Sequence, residues 1–171
     1  FRAIYVFNFV IVNTFFHNFF MPNQIGPVII KSFEQLDKAE LYEIMQLRIE
    51  VFVIEQDCPY PDLDGTDHEC LHMWIVQDDQ IASYLRINPA GSRYEEPSLG
   101  RIVTKMAHRS KGLGEVIINK AIEVICQVKP IAIRISAQSH LENYYEKFGF
   151  VKVSEVYLED NIPHIEMLKD A

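Results

Sequence analysis

Arg109-Ser110-Lys111-Gly112-Leu113-Gly114 puts two cations and two glycines into six residues. An apolar stripe follows at helical spacing, through Leu113, Ile117, Ala121, Val124, Ile125 and Val128, so the run stands at the head of a helix. A helix N-terminus offers backbone N–H groups without intrahelical partners and a partial positive charge. Glycines let a ligand approach the main chain, and Arg109 and Lys111 add charge. This chemistry suits a pyrophosphate. A P-loop would need a lysine–hydroxyl pair, absent after Gly114, and a dinucleotide fingerprint would need glycine where Ile117 stands. The Arg-x-x-Gly-x-Gly form remains, beside the plain alternative of a glycine-containing helix start with basic residues for solubility.

Other residue groups have the right types for chemistry but the wrong spacing. The run Asp62 to Glu69 is acidic, yet a calcium loop begun at Asp62 would place Asp67 and Met73 where glycine and glutamate are required. His68 and His72 with scattered cysteines make no zinc signature, so no metal is expected. Cys58 precedes Pro59 with no base identified beside it, which leaves a covalent cysteine route without support. His72, His140 and His164 lie near element ends and could titrate near neutrality, although a hydrogen-bonding role is the commoner one for each.

The elements that must position these groups form a mixed pattern. Val28 to Phe33 reads as a strand. Asp37 and Glu40 form a capping box that opens a helix running to about Val53. A loop from Glu55 to Leu71 carries Pro59, Pro61 and Gly65. Met73–Gln77 and Ile81–Ile87 form a hairpin, and Leu99–Thr104 is a strand. A helix follows from Leu113 to about Val128. Ile131–Ser136 is a β-branched run expected to be buried on both faces. A short helix from Leu141 to Phe148 ends at Gly149. Val151–Leu158 and Ile165–Leu168 are the last strands. The order β-α-β-β-β-α-β-α-β-β implies an α/β (α+β) fold with a mixed, mostly antiparallel sheet flanked by helices.

The strand Leu99–Thr104 followed by Arg109–Gly114 resembles the CoA-binding motif of the GNAT N-acetyltransferase superfamily, and Tyr145-Glu146-Lys147-Phe148-Gly149-Phe150 resembles its Tyr-x-x-x-Gly-Phe element. The stretches Leu47–Gly65, Ala137–Phe150 and Glu159–Met167 resemble the ElaA-like subfamily. Two positions depart from the common pattern: Met106 replaces a frequent proline, and Gln138 replaces a frequent asparagine but keeps an amide for pantetheine.

The resemblance implies transfer of acetyl from acetyl-CoA, a cosubstrate, to an amine of a small molecule or protein by direct attack. It implies that the backbones of Ile102, Val103 and Thr104 hold pantetheine and the acetyl group, with a splay or bulge freeing an N–H for the carbonyl oxygen. The backbone from Arg109 through Ser110, Lys111, Gly112 and Leu113 to Gly114 holds pyrophosphate, and Tyr145 serves as general acid. The alternative for Tyr145 is a core ring with its hydroxyl at solvent. Glu55 is the candidate base, with His72, His140, His164 or a water chain as the alternatives. Asp64, Asp67, His72 and His164, with Glu55, are candidate acceptor contacts; the acidic loop is either a solvated turn or an electronegative wall that attracts an amine. A non-catalytic acyl-CoA-binding sensor using the same cradle is the competing class.

The chain's 171 residues fit one domain, expected over 22–171, and its formal charge of −8 disfavours nucleic acid and is compatible with a cationic acceptor. Three cysteines without a CxxC pair point to a reducing cytoplasm. Phe1 to Phe20 lacks the features of a signal peptide, and its asparagines and His17 oppose a membrane span. Residues 1–21 are read as an N-terminal extension: sequence upstream of the enzyme proper, since Met21 resembles a natural start, or an added strand or interaction arm. A homodimer stays open.

Overall fold

The computed structural model describes residues 25–128 and 130–171; the readings on residues 1–21 lie outside the described residues. Strand β1 (Val28–Ser32) leads through a short turn to α1 (Lys38–Arg48). The Asp37 carboxylate accepts from the N–H groups of Ala39 and Glu40, and the Glu40 side chain accepts from the Asp37 N–H, completing the expected capping box. Helical structure does not stop at Val53. It continues as a wider π-type coil over Ile49–Glu55. Strands β2 (Leu71–Gln77), β3 (Gln80–Asn88) and β4 (Ser98–Thr104) follow, then α2 (Leu113–Val128), β5 (Ile133–Gln138), α3 (Glu142–Glu146), β6 (Val151–Lys152), β7 (Tyr157–Glu159) and β8 (Ile162–Lys169).

The strands form one sheet in the order β1-β2-β3-β4-β5-β8-β6, with β7 also paired to β8. All described pairs are antiparallel except β4 with β5, which the α2 crossover makes parallel. The mixed, mostly antiparallel expectation therefore stands. Two tight hairpins use Asp78-Asp79 and Asp160-Asn161, and all four residues have positive φ, between 50° and 64°. That is the left-handed pair a type I′ turn requires, which short polar side chains tolerate.

Three strand expectations need correction. The run after Pro130 is not buried on both faces. Its strand is Ile133–Gln138 and its burial alternates, because Ile133, Ile135 and Ala137 enter the core while Arg134, Ser136 and Gln138 face the other way. Arg134 pairs there with Glu96 and Glu166. The expected strand Val151–Leu158 is two short ones, because the Ser154 hydroxyl takes the Glu166 N–H and interrupts the ladder with β8. The last strand begins earlier, at Ile162.

Two apolar clusters sandwich the sheet. Leu113, Ile117, Ile118, Ala121 and Ile125 of α2 pack with Leu85, Leu99, Ile133 and Ile135, joined by Tyr145 and Phe150. Ile44 and Leu47 of α1, with Val51, pack with Trp74, Tyr84 and Val103 on the opposite face. Leu99 and Val103 are four residues apart yet lie on opposite faces, which simple alternation forbids. The register explains it. Tyr84 faces Val103 and Arg86 faces Gly100, so Leu85 is opposed by both Arg101 and Ile102. This is a β-bulge, and Arg101 occupies it with φ 53°.

Candidate active site

The bulge lies beside the place where the sheet parts. β4 and β5 pair only at Ser98–Arg134 and Leu99–Ile135. Beyond that, β4 follows β3 to Thr104 while β5 follows β8 to Gln138, and a cleft opens between Gly100–Ile102 and Ser136–Gln138. Both facing edges carry backbone groups that no strand pairing satisfies, so the cleft can hydrogen-bond an extended, amide-bearing chain.

The end of β4 lies against the head of α2, with Thr104 Oγ1 3.7 Å from where a Gly114 Cβ would stand. Arg109, Ser110, Lys111 and Gly112 are all exposed there, whereas the Leu113 side chain is buried in the core. Ser110 and Gly112 have φ of 60° and 81°, and nothing stands within 4 Å of where a Gly112 side chain would be. Gly114 differs: a Cβ there would come within 2.8 Å of the Tyr144 hydroxyl, with Thr104 Oγ1 at 3.7 Å. The glycine keeps the head of α2, the end of β4 and α3 in close contact. This cradle fits a diphosphate: exposed N–H donors, absent side chains and Lys111 alongside.

The Tyr145 ring, 7% exposed, packs edge-on against Tyr144 and Phe150 and lines the cleft from the α2 face. Burial raises its pKa well above the ordinary phenol value, with Tyr144 adding to the shift, so it stays protonated at neutral pH. Its hydroxyl has no hydrogen-bond partner among the described residues. Gln138 also lines the cleft, and its amide donates to Gln56 Oε1 at 3.0 Å, tying β5 to the end of the helical segment after α1.

The remaining candidates divide sharply. Glu55 receives two hydrogen bonds from Arg109, both 2.7 Å, and Arg109 Nε donates to the Thr104 carbonyl. Glu55 therefore braces the cradle, and this pairing is a correction to its expected place as a free base. Asp64 and Asp67 form no electronegative wall. Asp67, 7% exposed, is held by Arg48 at 2.7 Å and Arg86 at 2.9 Å, and Asp64 pairs with Arg86 and Arg101. Burial alone would raise both carboxyl pKa values, but these guanidiniums outweigh it and hold both below the usual carboxylate range. Both charges are matched by guanidiniums, Asp67 in the interior and Asp64 at the surface, so neither is free to attract an amine.

His72 is likewise misplaced as an acceptor contact, since it is fully buried. Its Nε2 donates to the Asp67 carbonyl at 2.9 Å and its Nδ1 accepts from the Tyr84 hydroxyl at 2.8 Å. Desolvation lowers its pKa. Of that group only His164 lines the cleft.

Several residues at the site escaped the sequence reading. Arg101 is the chief one: its Nε donates to Asp62 Oδ1 at 2.8 Å and its guanidinium lies 5.6 Å from the Tyr60 ring centroid. Asp62 also receives Arg48 Nε at 2.8 Å and the Tyr60 hydroxyl at 2.8 Å. Ser136 hydrogen-bonds Tyr157 at 2.6 Å and donates to Glu159 at 2.7 Å, and Arg93 caps Glu159 at 2.7 Å. The acidic spacing from Asp62 to Asp67 was the available signal for the first cluster, had it been matched to the arginines on α1, β3 and β4.

A family model for the acetyltransferase (GNAT) domain matches residues 34–171. The chain belongs to the GNAT acetyltransferase family. Within that family it is 37% identical to ElaA of Escherichia coli (strain K12) over 139 residues, 80% of this chain and 91% of that protein. It is 39% identical to a UPF0039 protein of Synechocystis over 80% of this chain and 90% of the relative. Among solved GNAT-like folds, an acyl-CoA N-acyltransferase from Pseudomonas aeruginosa superposes with TM-score 0.79 at 39% identity, covering 84% of this chain and 98% of that one. Escherichia coli ElaA superposes with TM-score 0.78 at 35% identity, over 84% and 99%. Among the described residues no helix is long and apolar enough to cross a membrane.

Proposed function

We propose that the protein, through residues 22–171, transfers the acetyl group of acetyl-CoA to an amine of a small molecule or protein by direct attack. The observation that carries this reading is the parting of β4 from β5 beside an exposed glycine cradle, with a buried, protonated tyrosine in the wall between them. The GNAT membership and the acyl-CoA N-acyltransferase likeness support the donor class.

Each residue then has a task. The N–H groups between Arg109 and Gly114 hold the diphosphate. The open edge from Ile102 to Thr104 orients pantetheine, and the bulge at Arg101–Ile102 turns backbone toward the thioester oxygen. Gln138 offers its amide across the cleft. Tyr145 gives its proton to the departing sulfur. Cys58 donates its thiol to the Asp160 carbonyl at 3.4 Å and has no base paired with it among the described residues, so no covalent part is assigned to it.

Calorimetric titration with CoA, followed by thiol release from acetyl-CoA in the presence of an amine panel, tests the reading. Tyr145→Phe is expected to lower kcat by about 100-fold or more while leaving CoA affinity unchanged. Unaltered kcat would remove Tyr145 as the acid. CoA binding without thiol release on any amine would favour the sensor class.

A further inference from the structure

We propose that His164 is the general base that removes the proton from the attacking amine; this rests on the acetyl-transfer reading above. An amine that bonds to a carbonyl carbon acquires a positive nitrogen and must lose a proton for the tetrahedral species to go forward. The cleft must therefore hold a proton acceptor on the side from which the amine arrives.

Most candidates are already committed elsewhere. Glu55 is bound twice by Arg109, Asp62 by Arg48, Arg101 and Tyr60, and Glu159 by Ser136 and Arg93. Ser136 and Arg93 outweigh the opposing effect of burial and hold the Glu159 carboxyl pKa low, which weakens it as a base. Both ring nitrogens of His72 are occupied in the core, and His108 is buried outside the cleft. Among the described residues His164 is the imidazole that lines the cleft.

Its tautomer is set by one contact. His164 Nδ1 lies 2.8 Å from the Ile162 carbonyl oxygen. A carbonyl has no proton to give, so Nδ1 carries the hydrogen and donates it, and the neutral ring keeps its lone pair on Nε2. His72 shows the opposite arrangement, with Nε2 protonated and Nδ1 already accepting.

The face is also right. On β8, Ile165 and Met167 enter the cluster that contains Tyr145, so His164 and Glu166 point to the other face of the sheet. His164 sits opposite Gln138, at the divergent end of β5. Tyr145 and His164 therefore reach one cleft from opposite faces, one as donor and one as acceptor of a proton. Tyr157 on β7, its ring centroid 6.3 Å away, and Glu159 on β7 with Arg93 bound to it stand beside the imidazole; Asp160 lines the same cleft, and Glu166 is the next residue on that face of β8.

The step balances. The amine nitrogen bonds to the carbonyl carbon and the carbon–sulfur bond breaks. The nitrogen's proton goes to His164 Nε2 and the sulfur takes the Tyr145 proton. Imidazolium then releases a proton to solvent and tyrosinate regains one.

The test uses the full chain with acetyl-CoA and three probe amines: spermidine, tyramine and a lysine-bearing peptide. For the wild type, kcat/KM against pH should show an acidic limb. His164→Gln should lose that limb and about 100-fold in kcat, with CoA affinity by calorimetry unchanged. His164→Ala should regain rate on addition of free imidazole, a response that a merely structural role would not give. Nitrogen-15 spectra of the wild type should show the Nδ1–H tautomer at His164, whatever the variants do. An Nε2–H tautomer, or variants that keep the wild-type limb and rate, would overturn the inference and leave the acetyl-transfer reading standing. A wild type that binds CoA yet releases no thiol with any of the three amines would overturn that reading, and the inference would fall with it.

Discussion

Two arginines with almost no exposure, Arg48 and Arg86, are costly side chains to desolvate. They are tolerable because Asp62, Asp64 and Asp67 arrive from one short loop and neutralise them together with Arg101. Asp67 touches both buried guanidiniums, so it is the member whose loss strands the most charge. Asp67→Asn is expected to destabilise the fold by about 3–5 kcal/mol, read from denaturant unfolding, because one side of a buried pair is removed while the other stays. A loss below about 1 kcal/mol would mean the loop relaxes to let water reach Arg48 and Arg86. None of this was legible in the residues Asp62–Asp67 alone. A run of aspartates between prolines has the composition of a solvated turn, and only the chain path through α1, β3 and β4 turns it into the inner shell of a charge cluster.

Elements carried more of their own description. The capping box at Asp37, the apolar stripe of α2 and the glycine after α3 each depend on neighbours within a few residues, so they could be seen in the sequence. The parting of β4 and β5 could be expected only from resemblance, since which strand each one follows is decided by contacts far along the chain. The bulge gave no local sign: an arginine, not a glycine, takes the left-handed position, held by Asp62, Asp64 and Tyr60. The cradle at the head of α2 has its own prediction. Gly112→Ala meets no steric obstacle but must keep φ near 81°, which should lower stability by about 1–2 kcal/mol. Gly114→Ala has ordinary φ but presses on Tyr144, and should weaken CoA binding about tenfold, equivalent to ~1.4 kcal/mol. Calorimetry and thermal unfolding on both variants would separate the two effects; equal CoA affinity for wild type and Gly114→Ala would show that the close approach does not matter.

The molecule as a whole should lose stability in acid in two stages. His72 has a folded pKa below its ordinary 6.5 because it is buried as the neutral ring, so the unfolded chain binds more protons as pH falls. Its contribution is complete above about pH 6.5 and declines below it. Asp64 and Asp67 are held below their ordinary 3.8, so their contribution is complete above about pH 3.8 and disappears beneath it. Tm should therefore fall gently from pH 7 to 5 and steeply below pH 4. His72→Gln should flatten the first stage and spare the second. A first stage that persists unchanged in His72→Gln would assign it to other groups.

The extra residue in β4 also makes chain length a constraint in its own right. Leu99 anchors one layer and Val103 the other because the bulge absorbs the odd residue between them. Deleting Arg101 or Ile102 would leave three steps between Leu99 and Val103, matching Tyr84 to Ile87 on β3, so both anchors would keep their layers while the left-handed kink at the edge of the cleft would be lost, however conservative the remaining side chains. Along this stretch, related chains should vary more freely in residue identity than in residue number.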